Sequence, residues 1–484
     1  MSARNTLPRS TATVLWSLIA LGIVLRVLAW GVKGGMHYPD EIFQQLEPAH
    51  LLRTGVAWLP WEFGRGLRSW IMPWYYAGLM EVFSWLGVVG HDALRAVNLH
   101  NAVLSAAMIP AAFRMGRALC NKSNTAGHSD SAGLWCAALV ACWPTVIYFA
   151  PHALMGSPSM ICLTWGYAFW LEERRASPGG REALWMGFWF GMAGMIRFTS
   201  GLHMLVPLAD LLLRRRARAI AWLVLGALPG MLTLGLVDLM TWGRPFFSAI
   251  EHFRYNFIEG KSSQHGVSPW HFYLTTSFAT RVGPGLLLLV PLVLLSLRRS
   301  WPVALAFALP TLLLSTVGHK EERFVMHNWP LILACTAVGL VAFEQWLHVR
   351  VSRRGTGIAI VAVVACILAS NLYGTAQMPW RWRAGIFEAQ QFVGTQADAT
   401  GLLLDDRRHL NGGQLVLSRT IPQRRNDPRW WSHPLFNYAA IKADDSQLRS
   451  MTDGGWGQVA RFDDVVVLLR RPNRAITSPG AASR

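Results

Sequence analysis

The strongest constraint on this chain is a repeating pattern. Apolar runs of roughly twenty residues, bounded by polar or charged stretches, recur from the N-terminus to about residue 373. A helix needs about 20 apolar residues to cross some 30 Å of hydrocarbon. Backbone polar groups cannot be left unpaired in lipid, so such a chain folds as packed helices. Candidate spans fall near 12–31, 93–113, 133–150, 157–171, 183–196, 200–213, 219–241, 283–297, 302–317, 328–347 and 356–373. The expectation is a polytopic α-helical membrane protein with about 11 transmembrane segments. Composition agrees, with 52% of residues hydrophobic and 15% charged, where soluble domains run to about a quarter charged.

The net charge of +18 does not point to nucleic acid, because the basic residues punctuate apolar runs instead of sharing one soluble face. The first apolar run has no small-residue cleavage site behind it and reads as a retained helix, not a removed signal. The six cysteines (Cys120, Cys136, Cys142, Cys162, Cys335 and Cys366) lack metal-ligand spacing and read as small core residues, not a disulfide framework.

Orientation follows from the basic residues. Arg4 and Arg9, then Arg114, Arg117 and Lys122, then Arg174, Arg175 and Arg181, share one side if Trp70–Gly90 does not cross. Arg214 to Arg218, Arg298 with Arg299, and Arg350 with Arg353 and Arg354 fall on that side too. Trp70–Gly90 is therefore expected to lie in the interface as an aromatic amphipathic helix. The N-terminus is then cytoplasmic. Loop 37–92, residues His152 to Ser159, loop 242–282 and Gly318–His327 collect on the extracytoplasmic face. Residues 1–374 form the membrane domain. Residues 375–484 hold no long apolar run and read as a small α/β extracytoplasmic domain. Its expected parts are an amphipathic helix at 384–395 and strand-like runs at 401–406, 413–419, 437–444 and 459–471, ending in a disordered tail.

Candidate chemistry sits in the outer loops. HYPDEIFQQLEPAH (37–50) sets Asp40, Glu41, Gln44 and Glu47 beside the first span, and charge so near a bilayer is costly unless wet or paired. A carboxylate there suits a general base, although Asp40 and Glu41 also fit the start of a helix. In WEFGRGLRSW (61–70), Arg65 and Arg68 alternate with Trp61 and Trp70. That pattern suits phosphate and ring stacking, or else an interfacial aromatic belt. HKEERF (319–324) packs His319, Lys320, Glu321, Glu322 and Arg323 between two spans, as an anion clamp or a solvated run of ion pairs. Arg197 lies at the turn between two apolar segments, buried or snorkelling. Asn256, His265 and Trp270 in loop 242–282 mix hydrogen-bonding and stacking groups. A divalent cation site is conceivable from His37, Asp40, Glu41 and His50, but their spacing matches no recognised ligand set. No Walker or Rossmann glycine signature is present.

Six segments in order resemble glycosyltransferase family 22, the membrane mannosyltransferases of the N-glycan and GPI-anchor precursor pathways. PDEIFQQLEPAH is similar to that family's PDE-x-x-Q-x-x-E-x-x-H loop, and WEFGRGLRSWIMP to its segment ending R-S-x-x-x-P. IRFTSGLHMLVP, LVDLMTWGRP, FRYNFIEGKSSQHGVSPWHFYL and GHKEERFVMHNWPLIL resemble its later segments. Phe198 departs from the family's proline after Arg197, and His152 with Ser157–Ser159 departs from its R-T-x-S-N string.

The resemblance implies a GT-C fold and inverting transfer of a mannosyl-type sugar from a polyprenyl-phosphate donor to a glycan or lipid-linked acceptor. It implies Asp40 as base with Glu41 in support. Arg323, Lys320, His319, Arg197 and Arg68 would hold donor phosphate, and Gln44, Glu47, Trp61, Asn256, His265 and Trp270 would meet sugar or acceptor. Alanine- and arginine-rich composition with few lysines points to a bacterial inner membrane. The rivals are a lipid-linked sugar flippase, whose charges would line a path through the bilayer, and another GT-C enzyme such as a protein O-mannosyltransferase or O-antigen-type ligase.

Overall fold

The computed structural model describes residues 7–120, 126–175, 180–405, 411–417 and 419–470. Arg4, Lys122 and the C-terminal tail lie outside them. The chain divides into two compact units. One comprises Met1–Gly31, Pro60–Tyr75 and Asn98–Pro379, the other Val32–Leu59, Tyr76–Val97 and Trp380–Arg484.

The first unit is helical. Among the described residues of the chain, six helical stretches are long and apolar enough to cross a membrane. They are Arg9–Val32, Gly90–Cys120, Ala217–Trp242, Tyr273–Ser315, Met326–Arg350 and Arg353–Ala376. Other expected spans are shorter helices, at Ala126–Cys142, Gly156–Glu173, Arg181–Ile196 and Leu205–Leu213. The two runs expected at 283–297 and 302–317 are one continuous helix, Leu286–Ser315, with Pro291, Pro302 and Pro310 inside it. Arg298 and Arg299 are thus helical and do not form a loop.

Helices pack through small residues. A Cβ on Gly187 would come within 2.0 Å of the Leu223 carbonyl, and one on Gly226 within 2.0 Å of the Leu184 carbonyl. Helices Arg181–Ile196 and Ala217–Trp242 therefore touch backbone to backbone, the contact that association in lipid favours. Outward faces carry Trp16, Leu28, Leu232, Leu236, Val361 and Leu372, all exposed. Arg26, inside the first apolar run, is fully buried and donates to Ser105 Oγ and to the carbonyls of Gly22, Val140 and Ala141. The stretch expected in the interface forms a helix, Ile71–Trp85, with Trp74, Tyr75 and Trp85 exposed.

The second unit carries a five-stranded sheet in the order β2-β1-β3-β5-β4. Its strands are β1 (Leu402–Leu404), β2 (Gln423–Arg425), β3 (Tyr438–Lys442), β4 (Trp456–Phe462) and β5 (Val465–Arg470). β1 pairs in parallel with β2 and β3, and β5 runs antiparallel to β3 and β4. Leu403, Phe436, Ile441, Met451, Trp456 and Leu468 fill its core. The expected helix is Ala384–Thr395.

Two strand expectations fail, and the first is the run 459–471, which turns at Asp463 and Asp464 and so divides between β4 and β5. In the second, GQLVLSR (413–419) contains a helical turn, Gly413–Leu417, all of it buried. Its N-terminal amides are taken by the Glu47 carboxylate, whose Oε1 accepts from Leu415 N at 2.9 Å while Oε2 accepts from Trp58 N at 2.9 Å. Gly413 sits at φ 65 with Glu47 2.3 Å from where a Cβ would be, so no other residue fits. Five buried residues in a row read as a strand by hydropathy alone. A buried acidic cap decides for helix.

Candidate active site

In the first unit, segments 61–70, 197–199, 252–271 and 319–324 converge on a set of cations. Arg197 follows helix Arg181–Ile196 in an extended conformation, and its Nε donates to Thr199 Oγ1 at 3.0 Å. Its Nη1 donates to the Arg323 carbonyl at 3.4 Å, and it forms no ion pair among the described residues. Arg197 and Arg323 both approach the Phe324 ring, at 5.4 and 5.5 Å from its centroid. Burial, then the charges of Arg323 and Arg68, push the Arg197 guanidinium down to about 10. Arg68 lies 3.9 Å from Glu62, and its buried Nε has no hydrogen-bond partner. His252 is held down to about 3, first by burial and then by Arg68 and Arg197. A group so suppressed stays neutral, leaving the positive field to the arginines.

HKEERF resolves into different roles. Arg323 Nε donates to Glu321 Oε2, and His319 Nε2 meets Glu321 Oε1 at 3.1 Å. Burial opposes ionisation of Glu321, but Arg323 and His319 outweigh it and hold the carboxyl down to about 2. The hydrogen bond to Glu321 raises His319. Lys320 points elsewhere: its Nζ donates to the carbonyls of Ser268 at 2.9 Å and Val317 at 2.6 Å. It ties the loop together and does not join the arginines. Glu322 is bound by Arg281 at 2.8 and 2.7 Å.

Beside His319 stands an aromatic wall. Trp61 stacks on His265 at 5.7 Å and meets Tyr255 at 5.3 Å, and His265 lies 6.0 Å from His319. Arg65 caps the Tyr255 ring and binds Glu259 at 2.9 Å. Trp61 is half exposed. Asn256 is turned away, its Nδ2 donating to the His252 carbonyl at 2.8 Å, and Trp270 is exposed against His271.

In the second unit the acidic loop starts a helix at Asp40 that passes into a π-turn, Ile42–Leu46. Such turns are frequent at functional sites. Asp40 is half-buried. Glu41 is buried, 3.4 Å from Lys33 Nζ, and accepts from His37 N at 3.1 Å. Lys33 in turn has its carbonyl held by Arg95 at 2.8 Å. Glu41 is thus committed to bracing the loop on which Asp40 sits. Gln44 is buried within the π-turn, and Glu47 caps the turn at Gly413. Among the described residues, no group of three or more His, Cys, Asp or Glu side chains is arranged to hold a metal ion.

Sequence reasoning passed over Lys33, His252 and the buried pair His203 and His327, whose rings lie 5.5 Å apart. Tyr167 Oη meets His203 Nδ1 at 3.0 Å. The available signal was an ionisable residue inside an apolar run, rare without a role.

The fold is that of GT-C membrane transferases. The structure superposes on ArnT from Cupriavidus metallidurans bound to undecaprenyl phosphate with a TM-score of 0.61, 14% identity and coverage of 94% of this chain and 98% of that one. It also matches the Archaeoglobus fulgidus oligosaccharyltransferase, at a TM-score of 0.59, 12% identity and coverage of 96% and 74%. Residues 16–381 match the Alg9-like mannosyltransferase family, and the chain belongs to that family. Among curated relatives, GPI mannosyltransferase 3 of Drosophila melanogaster is 26% identical over 72% of this chain and 59% of its own length. Mannosyltransferase APTG1 of Arabidopsis thaliana is 26% identical over 63% and 55%. The chain therefore spans little more than half the length of these relatives. The protein is a multi-pass membrane protein.

Proposed function

We propose that this protein moves a mannosyl-type sugar from a polyprenyl-phosphate donor to a hydroxyl of a glycan or lipid-linked acceptor. The reaction takes place on the extracytoplasmic face of a bacterial inner membrane. The observation that carries the reading is Arg197: a half-buried guanidinium with a hydroxyl and a carbonyl for partners, repelled by Arg68 and Arg323 and attracted by Glu321, which Arg323 and His319 already hold. Three arginines against Glu321 and the more distant Glu62 leave a positive excess in a partly buried place, which a further anion would offset. A lipid phosphate is such an anion, and its charge grows as the sugar leaves. Undecaprenyl phosphate bound to the structural neighbour supports the same class of lipid here.

In this reading the acceptor hydroxyl gives its proton to the Asp40 carboxylate as its oxygen attacks the anomeric carbon from the face opposite the phosphate. The bond from that carbon to the phosphate oxygen breaks, polyprenyl phosphate leaves with the electron pair, and the configuration inverts. Arg323, Arg197 and Arg68 receive the departing charge, with His319 and Glu321 fixing Arg323. Trp61 and His265 offer the sugar a stacking face.

The test uses purified full-length protein with undecaprenyl-phosphate mannose, other polyprenyl-phosphate sugars and a panel of acceptors, with and without chelator. Release of undecaprenyl phosphate is expected, and Asp40→Asn should slow it by about 10²–10⁴-fold. A wild-type rate in Asp40→Asn removes Asp40 as base. No release from any of the lipid-linked sugars removes the donor class.

A further inference from the structure

The segment LVDLMTWGRP has no part in the chemistry above, yet its polar residues are turned onto the strip of chain that carries Arg68. Asp238, near the end of helix Ala217–Trp242, is fully buried. Its Oδ2 accepts from Ser248 N at 2.8 Å and Ser248 Oγ at 2.6 Å, and the Ser69 hydroxyl stands beside the same carboxylate. One turn on, Trp242 Nε1 donates to the Arg68 carbonyl at 3.2 Å. The chain then turns through Gly243, at φ 73, into helix Phe247–Phe253. The Phe247 ring lies against Gly66, where a Cβ would meet it at 2.4 Å. Residues 66, 68 and 69 are thus each gripped by the end of one helix or the start of the next.

The grip is on the backbone and leaves the guanidinium alone. Arg68 Nε is buried without a hydrogen-bond partner, and the nearest carboxylate, Glu62, is 3.9 Å away. A long side chain that must meet an anion loses rotamer freedom each time it binds. Fixing its backbone sets the direction in which the side chain leaves the chain, while the head keeps only the long ion pair to Glu62, which is the logic of supporting a binding group from behind.

We propose that Trp242, with Asp238 and Ser69, is a positioning latch that aims Arg68 at the phosphate of the lipid-linked donor. The latch rests on the donor-phosphate reading given above. It predicts a change in affinity for the charged headgroup and none in affinity for the polyprenyl chain.

The experiment measures binding of undecaprenyl phosphate and of uncharged undecaprenol to the full-length protein in detergent, together with its melting temperature. Trp242→Phe keeps the ring and removes the donor, Ser69→Ala removes one hydroxyl, and Arg68→Ala is the reference. Trp242→Phe and Ser69→Ala should each weaken undecaprenyl phosphate by about three- to tenfold, the worth of one net hydrogen bond. Undecaprenol binding should stay as in the wild type, with the melting temperature lowered only by the worth of one lost hydrogen bond. The double variant Arg68→Ala with Trp242→Phe should bind no worse than Arg68→Ala alone, since both act through one guanidinium. If Arg68→Ala weakens undecaprenyl phosphate while Trp242→Phe and Ser69→Ala do not, the latch is overturned and the donor site stands. If both lipids weaken equally in Trp242→Phe, the tryptophan merely shapes the fold. If Arg68→Ala itself leaves undecaprenyl phosphate binding intact, Arg68 is not a phosphate ligand and the latch falls with it.

Discussion

Glu47 accepts a hydrogen bond from Leu415 N at 2.9 Å, across 368 positions of sequence. The acidic loop after the first helix and the sheet-bearing C-terminal segment therefore belong to one compact unit, joined by a buried carboxylate. Its other oxygen holds Trp58 N, at the far end of the same loop. The C-terminal segment thus braces, through Glu47, the loop on which Asp40 sits.

This clamp should be intolerant of substitution. Gly413→Ala forces a left-handed backbone on a residue whose Cβ meets Glu47, at a cost of about 1–3 kcal/mol before the clash is counted. Glu47→Ala leaves two backbone amides without their acceptor, about 1–3 kcal/mol each if they stay buried. Both variants should melt earlier than wild type in detergent.

The clamp also makes stability depend on pH. Burial raises Glu47 from 4.5 to about 7, against the pull of its backbone donors. The folded state thus favours the protonated acid. That contribution is complete below about pH 4.5 and is lost as pH rises through about 7. Melting temperature measured between pH 5 and 8 should fall with rising pH, and Glu47→Gln should flatten this part of the profile. An unchanged slope in Glu47→Gln would assign it to another group.

Within HKEERF the two cations should behave differently. Arg323→Ala should lower kcat/KM for a polyprenyl-phosphate sugar by about 10²–10³-fold, the usual loss when one charge-stabilising donor is removed.

Lys320→Met should leave affinity for undecaprenyl phosphate unchanged. It should instead destabilise the protein by about 1–3 kcal/mol, because the carbonyls of Ser268 and Val317 lose their donor. A large loss of lipid-phosphate binding without a fall in melting temperature would return Lys320 to the donor site.

Much of this was legible in the residues. Apolar runs at membrane length announced the helices, and charge beside them marked loops 37–50, 61–70 and 319–324 as the places to look. Arg197 and Arg323 could be singled out because a cation next to hydrocarbon is expensive. Hydropathy failed where a segment is buried on all sides, as in Gly413–Leu417, since a core strand and a core helical turn carry the same apolar string. It also split residues 283–317 into two runs around Arg298 and Arg299, where the helix runs unbroken from Leu286 to Ser315.

The sequence by itself determined a helical membrane protein of a recognisable transferase type, with acidic, arginine-rich and aromatic segments beside its spans. That follows because the cost of burying charge and the length of a helix are properties of the local chain. Only the tertiary structure decided that Lys320 turns back on carbonyls while Arg323, three residues on, faces Arg197. It alone showed Glu41 tied to Lys33 and Trp242 holding Arg68 from behind. Side chains of four or five bonds reach partners in any direction, so their roles are set by what the fold brings near them.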